Sequence, residues 1–312
     1  MSILVSGSLA LDHLMVFPDR FKDHILPEKI HMLNVSFNID TLETHFGGVA
    51  GNIAYNLRLL GQDPLVLATV GNDFGPYAAH LDRHGVRRSA IHVIDELRTA
   101  QGFVTTDLDD NQIWAFYVGA MGRAHENPVS NVDEAIELAI VSSGGREAMI
   151  EHARELKGRG VPTYVDPSHA LPILDKDDLL GLIDGSAGYV VNDYEWSLTL
   201  DKTGCSEAEL MERTGAVIIT LGEKGSVIHH DGDEIRIPMV RAADVVDPTG
   251  CGDAYRAGLL AGLARGLPFE TAGRMASLMG ALQVAVGGTQ SLAIDGDAFE
   301  VRYQQEFGIA IS

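Results

Sequence analysis

The chain has 312 residues and a formal net charge of −21 at pH 7. This length allows one large α/β domain or two smaller ones, and the acidic balance argues against nucleic acids and anionic membranes as partners. Only two cysteines occur, Cys205 and Cys251, without the C-x-x-C spacing of a redox or metal site. We therefore expect a protein of a reducing compartment, the cytoplasm.

The first residues form a short apolar run, at 3–5, which Asp12 soon follows, and this predicts a first strand rather than a signal peptide. From about residue 45 onward, short apolar runs alternate with helical patterns, as is typical of an α/β fold with a mainly parallel sheet. The predicted strands are residues 3–5, 65–70, 139–141, 163–165, 189–191 and 217–220. Predicted helices include residues 50–60, 146–157, 206–213 and 269–286. Small polar residues follow the strands, which predicts a binding site at their carboxyl ends.

Two stretches, at about 14–44 and 91–117, lack this rhythm. The second contains two alternating runs, 102–106 and 113–116, around an acidic turn, and therefore predicts a hairpin. We expect both stretches to form a small β-sheet lid on a single domain that spans residues 1–312. A further antiparallel hairpin is predicted over residues 226–229 and 234–237.

Residues 247–253 read Asp-Pro-Thr-Gly-Cys-Gly-Asp and run directly into an apolar helical pattern. Gly250 and Gly252 flank the small Cys251, so this turn predicts free backbone N–H groups at a helix N-terminus, where anions are attracted. Asp253 would repel a bound phosphate, but it suits a base that faces a hydroxyl attacking that phosphate. An ordinary glycine-rich helix start explains these residues equally well when they are taken alone.

A second motif covers residues 45–54, His-Phe-Gly-Gly-Val-Ala-Gly-Asn-Ile-Ala. The helical stretch after it ends at Gly61, and Gly71 follows ten residues later. Gly47 and Gly48 allow a ligand to approach the backbone, and Asn52 can donate and accept hydrogen bonds with hydroxyls. Together the two motifs resemble the signatures of the ribokinase-like (PfkB) family of carbohydrate and nucleoside kinases. The sequence departs from them at Cys251, where that family usually carries Ala or Gly.

This resemblance implies a ribokinase-like α/β fold, with a central mostly parallel sheet flanked by helices and a small β-sheet lid over the phosphoryl acceptor. It implies that Asp253 is the catalytic base and that the backbone of Gly250, Cys251 and Gly252 forms an anion hole. The sugar hydroxyls would be held by Asp12, Gly47, Gly48 and Asn52. A capping role in a turn or helix is the alternative for Asp12.

Residues 192–195, Asn-Asp-Tyr-Glu, resemble the N-x-x-E element of the family. By this resemblance Asn192 lies near the phosphates of ATP and Glu195 helps to hold Mg²⁺, although a helix capping box explains the same pair and both roles can coexist. Thr220, Gly222 and Gly225 resemble the family's loop beneath ATP, and the chain has no Walker A motif. Some members use K⁺, with ligands near Asp247 and Thr249, and the sequence leaves this question open.

Three features favour a nucleoside over a free sugar as acceptor, all by resemblance: Arg256 in G-D-x-[YF]-R-A-G, the segment 24–37 and the run Gly287-Gly288-Thr289-Gln290. Four aromatic residues on the lid stretches could form a wall for a nucleobase or pack the lid against itself; they are Phe17, Phe37, Trp114 and Phe116. Asn34 is a candidate hydrogen-bond partner of the base or ribose. His80 and His84, four residues apart without a third ligand, are interpreted as a solvated helix face.

These observations predict an ATP- and Mg²⁺-dependent adenosine kinase that acts as a monomer or homodimer. Other nucleosides as acceptors and activation by K⁺ are left open. A sugar kinase of the ribokinase or fructokinase type is the alternative. A non-catalytic nucleoside-binding protein is less favoured because Asp253 is retained.

Overall fold

The computed structural model describes residues 2–32 and 34–311. Leu33, which belongs to the predicted lid stretch 14–44 and to the segment 24–37, lies outside the described residues. The strands are β1 (Ser2–Ser6), β2 (Ala10–Val16), β3 (Thr41–Gly47), β4 (Asp63–Gly71), β5 (Ile91–Ile94), β6 (Ala100–Thr106), β7 (Gln112–Tyr117), β8 (Leu138–Val141), β9 (Thr163–Val165), β10 (Gly188–Asn192), β11 (Ala216–Thr220), β12 (Ser226–His230) and β13 (Asp233–Ile237). The α-helices are α1 (Phe21–His24), α2 (Val49–Leu59), α3 (Gly75–Arg83), α4 (Arg146–Gly158), α5 (Lys176–Ile183), α6 (Asp193–Thr203), α7 (Glu207–Met211), α8 (Cys251–Ala264), α9 (Phe269–Val284) and α10 (Gly296–Phe307).

Within the described ranges, nine strands form a large sheet in the order β13-β12-β11-β10-β9-β8-β1-β4-β5. Its strands from β11 to β5 run parallel, and β12 and β13 add an antiparallel hairpin at one edge. Each predicted strand of this sheet is confirmed. The parallel strands are apolar along their whole length because helices cover both faces, as the burial of nearly all of β4 shows.

Alternate residues of β1 point into two separate cores. Ile3 and Val5 pack with α2, α8, α9 and α10 on one face, whereas Leu4 packs with α4, α5 and α6 on the other. On the first face α8 lies very close to α9, because an added Cβ at Gly258 would come within 2.7 Å of the Ala276 Cα. This close packing fixes the N-terminus of α8 at the carboxyl edge of the sheet.

The smaller sheet has the order β3-β2-β6-β7 and is the predicted lid. Its hairpin β6–β7 is antiparallel, as expected. Two boundaries were predicted wrongly. Ile91–Ile94 pairs with β4 in the large sheet, so the second lid stretch begins at β6 rather than at residue 91. The first begins at Ala10, because β2 already belongs to the lid. Among the described helices, none combines the length and apolar character needed to cross a lipid bilayer.

Candidate active site

A cavity of about 620 Å³ lies between the lid sheet and the carboxyl edge of the large sheet. Its walls come from β2 and β7 of the lid and, in the main body, from α2, the start of α8 and the loops that follow β8 and β9. The sequence-predicted residues that line it are Asp12, Gly48, Asn52, Trp114, Phe116, Gly250 and Asp253. Residues far apart in the chain therefore meet at the strand ends, where the sequence predicted a site.

Asp12 lies in the middle of β2, so the alternative of a capping role was wrong. Its carboxylate lies against two glycines of the neighbouring strands. A Cβ added to Gly47 would be 2.1 Å from Asp12 Oδ2, and a Cβ added to Gly102 would be 2.8 Å from Asp12 Oδ1. Burial raises the pKa of Asp12, and nearby histidines oppose this shift. The two glycines thus make room for a carboxylate that faces the cavity.

Asp253 lies in the first turn of α8 and faces the same cavity. Asn52, on α2, donates a hydrogen bond of 2.8 Å from Nδ2 to Asp253 Oδ2. Burial raises the pKa of Asp253, and the Arg256 charge and the Asn52 hydrogen bond oppose it. A carboxylate with a raised pKa that faces a cavity is a candidate general base.

Helix α8 begins at Cys251, where the glycine motif predicts a helix N-terminus, but the Cys251 N–H, which was predicted to be free, has a backbone partner. Gly250 adopts a left-handed φ of 78°, and an added Cβ there would come within 2.9 Å of Thr289. The Cys251 N–H points back to the Pro248 carbonyl at 3.3 Å, and Gly252 is exposed. Burial raises the pKa of the Cys251 thiol to about 11, so this cysteine is a neutral thiol at physiological pH and not an activated nucleophile.

Arg256 does not line the cavity; it forms a buried ion pair with Asp166, which follows β9. Nη2 donates to Oδ1 at 2.6 Å, and Nε lies 2.5 Å from Oδ2. Burial raises the pKa of Asp166 to about 7, with the Arg256 charge as the main opposing influence. Arg256 therefore acts on the site through charge and packing rather than by contact with an acceptor.

Asn192 and Glu195 form a complete capping box at the start of α6. Asn192 Oδ1 accepts from the Glu195 N–H at 2.7 Å, and Glu195 Oε2 accepts from the Asn192 N–H at 2.8 Å. The alternative structural role is thus present. The pair also lies at the carboxyl end of β10. The negative charge of Glu195 contributes to the raised pKa of Asp166 in the buried ion pair.

Thr220 ends β11, next to Asn192 in the parallel register. Gly222 begins the short turn that follows, and Gly225 closes it with a φ of 83°. A side chain at Gly225 would collide with the Ile237 carbonyl, since its Cβ would be 2.1 Å away. These residues continue the strand-end edge beyond Asn192, and they do not line the 620 Å³ cavity.

Residues 9–295 match the family described as pfkB family carbohydrate kinase. The chain belongs to this family. It is therefore a phosphotransferase with an alcohol group as acceptor, built on the ribokinase-like fold that the sequence predicted.

Among solved structures, this PfkB chain is similar to the nucleoside kinase of Burkholderia thailandensis in complex with inosine, with 43% identity, a TM-score of 0.89 and 99% of each chain covered. It is also similar to that kinase in complex with ADP-inosine, with 45% identity, a TM-score of 0.86, and 99% of this chain and 97% of the other covered. The nucleoside kinase of Methanocaldococcus jannaschii is 31% identical over 267 residues, which are 85% of this chain and 87% of that protein.

The use of Mg²⁺ by this PfkB chain remains a prediction. The described residues contain no group of three or more His, Cys, Asp or Glu side chains that could hold a metal ion. Mg²⁺ keeps several waters and commonly takes one or two protein carboxylates together with substrate phosphates. Glu195, at the strand-end edge, is the predicted carboxylate for that use. Asp247 accepts hydrogen bonds from the N–H groups of Thr249 and Gly288, and a role for K⁺ there remains a prediction.

The structure separates the four lid aromatics into two pairs. Trp114 and Phe116 line the cavity and remain 58% and 54% exposed. Phe17 and Phe37 instead pack on each other, with ring centroids 4.8 Å apart, and both also pack on Phe21 of α1. Asn34 is exposed and does not line the cavity, so its contact with a ligand remains a prediction.

The interpretation of His80 as part of a solvated helix face was wrong. His80 is buried, and its ring packs on Phe46 with a centroid distance of 4.5 Å. Its Nε2 lies 3.0 Å from Oε1 of Gln290. The four-residue spacing to His84 reflects ring packing between the two histidines at 4.6 Å.

Sequence reasoning gave no role to several residues near the site. His169 and Thr289 line the cavity, and Asp166 forms the buried ion pair with Arg256. The available signal was position: Asp166 and His169 follow the predicted strand at 163–165, where ligands of open α/β sheets bind. Thr289 lies in the run Gly287-Gly288-Thr289-Gln290, which was noted for its resemblance but given no contact.

Proposed function

We propose that this protein catalyses the ATP-dependent phosphorylation of the 5′-hydroxyl of a nucleoside, with adenosine as the predicted acceptor, giving AMP and ADP. The observation that carries the proposal is that Asp12, Asp253 and the Trp114–Phe116 wall face one cavity. A carboxylate for ribose hydroxyls, a base and an apolar surface for a nucleobase are what this reaction needs. The nucleoside complexes of the Burkholderia kinase support the same acceptor class and make inosine the second candidate.

In the proposed mechanism Asp12 holds the ribose hydroxyls and directs the 5′-hydroxyl towards Asp253. Asp253 takes the hydroxyl proton as the oxygen attacks the γ-phosphorus, and the bond from that phosphorus to the β–γ bridging oxygen breaks to release ADP. Because burial raises the pKa of Asp253, the carboxylate is a stronger base than a solvated one. Asn52 fixes the carboxylate through its 2.8 Å hydrogen bond.

The backbone around Gly250, Cys251 and Gly252 is proposed to stabilise the negative charge on the transferring oxygens. The first N–H groups of a helix lack intrahelical partners, and the helix dipole adds to their attraction for anions. Asn192, Thr220, Gly222 and Gly225 are proposed to contact ATP along the neighbouring strand ends. When bound, Mg²⁺ neutralises charge on the nucleotide phosphates, and Glu195 is the residue proposed to hold it.

The two exposed aromatic side chains of the lid favour a nucleoside over a free sugar as the acceptor. A sugar kinase of the ribokinase or fructokinase type would use the same carboxylates, but it has no need of two exposed aromatic side chains beside the acceptor. Closure of the lid over the cavity would exclude water, which competes with the acceptor for the phosphoryl group.

Asp253→Asn tests the base, and a panel of acceptors tests the acceptor class. We expect Asp253→Asn to lower kcat by about 10²–10⁴-fold while nucleoside binding, measured by calorimetry, is retained. Asp297→Asn, on the exposed face of α10, is the matched control and keeps wild-type turnover. Near wild-type turnover by Asp253→Asn would refute the role of the base.

The acceptor panel is adenosine, inosine, cytidine, ribose and fructose, each assayed with ATP and Mg²⁺. Faster turnover of nucleosides than of free sugars is expected, with adenosine first and inosine next. A preference for ribose or fructose would refute the nucleoside proposal and leave the base unaffected.

A further inference from the structure

A buried chain of side chains runs behind the cavity and ends at Asp253. Gln290, which follows α9, donates from Nε2 to Asn52 Oδ1 at 3.0 Å and to the Tyr77 hydroxyl at 2.6 Å. Its Oε1 lies 3.0 Å from Nε2 of His80. All four side chains are at most 8% exposed, so water does not compete for these bonds.

The donor and the acceptor of each hydrogen bond from Tyr77 to Asp253 follow from the bond that the Tyr77 hydroxyl makes. The Tyr77 hydroxyl donates to the Gly47 carbonyl at 2.7 Å, and a carbonyl can only accept. Having used its proton, the Tyr77 oxygen can only accept from Gln290, so the Gln290 NH₂ group must face Tyr77 and Asn52. Asn52 must then present Oδ1 to Gln290 and its NH₂ group to Asp253.

We propose that Gln290, anchored by Tyr77, is a positioning residue that holds the Asn52 amide in the one orientation in which it donates to Asp253. With the amide reversed, Asn52 would turn an oxygen towards the carboxylate and repel it. Gln290 thereby keeps Asp253 an ionised acceptor, and it leaves Oδ1 of Asp253 available for the substrate hydroxyl. This inference rests on the proposed role of Asp253 as the base.

The arrangement also opposes the effect of burial. A hydrogen bond to the ionised form of a carboxyl lowers its pKa, whereas burial raises the pKa of Asp253. Without Gln290 the Asn52 amide is free to turn, and the protonated form of Asp253 becomes easier to reach. The acidic limb of the profile of kcat against pH therefore reports on the orientation of Asn52.

Gln290→Met keeps the length of the side chain and removes both donors. We expect kcat to fall by about 10–100-fold, since a hydrogen bond to a charged group is lost. The acidic limb should move up by about one pH unit, and KM for ATP should change by less than about 2-fold. Tyr77→Phe removes only the anchor and is expected to shift kcat and the acidic limb in the same direction by less.

Tyr189→Phe is the matched control, because it removes an equally buried hydroxyl that bonds to Thr199 at 2.8 Å outside this chain of contacts. If Gln290 had a purely structural role, Gln290→Met would lower the melting temperature, as is expected of Tyr189→Phe, and would leave kcat and its pH profile unchanged. If folded Gln290→Met keeps the wild-type kcat and pH profile while Asp253→Asn is inactive, the positioning role is overturned and the role of the base is not. If Gln290→Met does not fold, an unchanged acidic limb in Tyr77→Phe overturns it. Turnover by Asp253→Asn would overturn the base and this inference together.

Discussion

Replacing Gly47 by alanine places a methyl carbon where the Asp12 carboxylate lies. The new Cβ would be 2.1 Å from Oδ2, and ordinary contact begins at 3.4 Å, so the carboxylate must move by about 1.3 Å, the difference of the two. The obstructing atom is the free end of a side chain and not backbone, so Asp12 can rotate away at little cost to the fold. The expected damage is therefore to the site rather than to stability.

The magnitude follows from the hydrogen bonds that Asp12 is proposed to make with ribose hydroxyls. A shift of about 1.3 Å takes a bond of ordinary length, about 2.7 Å, beyond hydrogen-bonding distance. A hydrogen bond to a charged group is worth about 1.5–3 kcal/mol, which corresponds to about 10–100-fold in affinity. We expect KM for the nucleoside to rise by that factor in Gly47→Ala, with KM for ATP little changed.

The assay is steady-state phosphorylation of adenosine and inosine, combined with thermal unfolding of each variant. Gly75→Ala at the start of α3 is the control, because a Cβ there meets no atom within 4 Å and the backbone needs no positive φ. This control should keep wild-type KM. If folded Gly47→Ala has an unchanged KM for nucleosides, Asp12 does not hold the acceptor and the reasoning fails.

Three further predictions concern the wall, the ion pair and a buried histidine. Trp114→Ala should raise KM for inosine by about 5–100-fold, the range for loss of one base–aromatic stack, and leave KM for ribose unchanged; equal losses would contradict the wall. Arg256→Met leaves Asp166 unpaired and should lower the free energy of unfolding by about 3–5 kcal/mol in urea titrations, against little change for Arg236→Met, whose side chain is 73% exposed; similar losses in the two variants would contradict the importance of the buried pair. Burial lowers the pKa of His152 from 6.5 to about 4, so its stabilising contribution is present above pH 6.5 and is lost as the pH falls towards 4. Relative to His152→Gln, the wild type should lose about 3 kcal/mol over that interval, and parallel stability curves would refute this.

The parallel sheet was predictable because each of its inner strands is buried on both faces and therefore leaves an uninterrupted apolar run. Strand β5 was assigned to the lid because Ile91–Ile94 is short and has two exposed residues, so it lacks that run. The strand context of Asp12 was missed for a related reason. Strand β2 has one buried residue, Ala10, and its exposed residues are the apolar Leu14 and Val16, so the sequence shows no alternation of apolar buried and polar exposed positions.

The catalytic motifs were recognised through their resemblance to a family, whereas their supporting contacts were not. The bond between Gln290 and Asn52 joins residues 238 positions apart, and no local pattern encodes such a pairing. The burial of His80 likewise depends on rings from elements that the helix spacing cannot reveal, among them Phe46 and Tyr55. Side chains that act through another side chain are therefore the part of a site that one sequence conceals.

The division of the cavity between two sheets has an evolutionary consequence. The aromatic wall lies on β7, whose six residues are all exposed, whereas Asp253 is tied into a buried network that tolerates few replacements. We expect substitutions on β7 to cost little stability, so under the proposed role of the wall acceptor choice can diverge there without loss of phosphoryl transfer. Directed evolution of a new acceptor range would accordingly begin with a library on β7, where most variants should still fold and retain their chemistry.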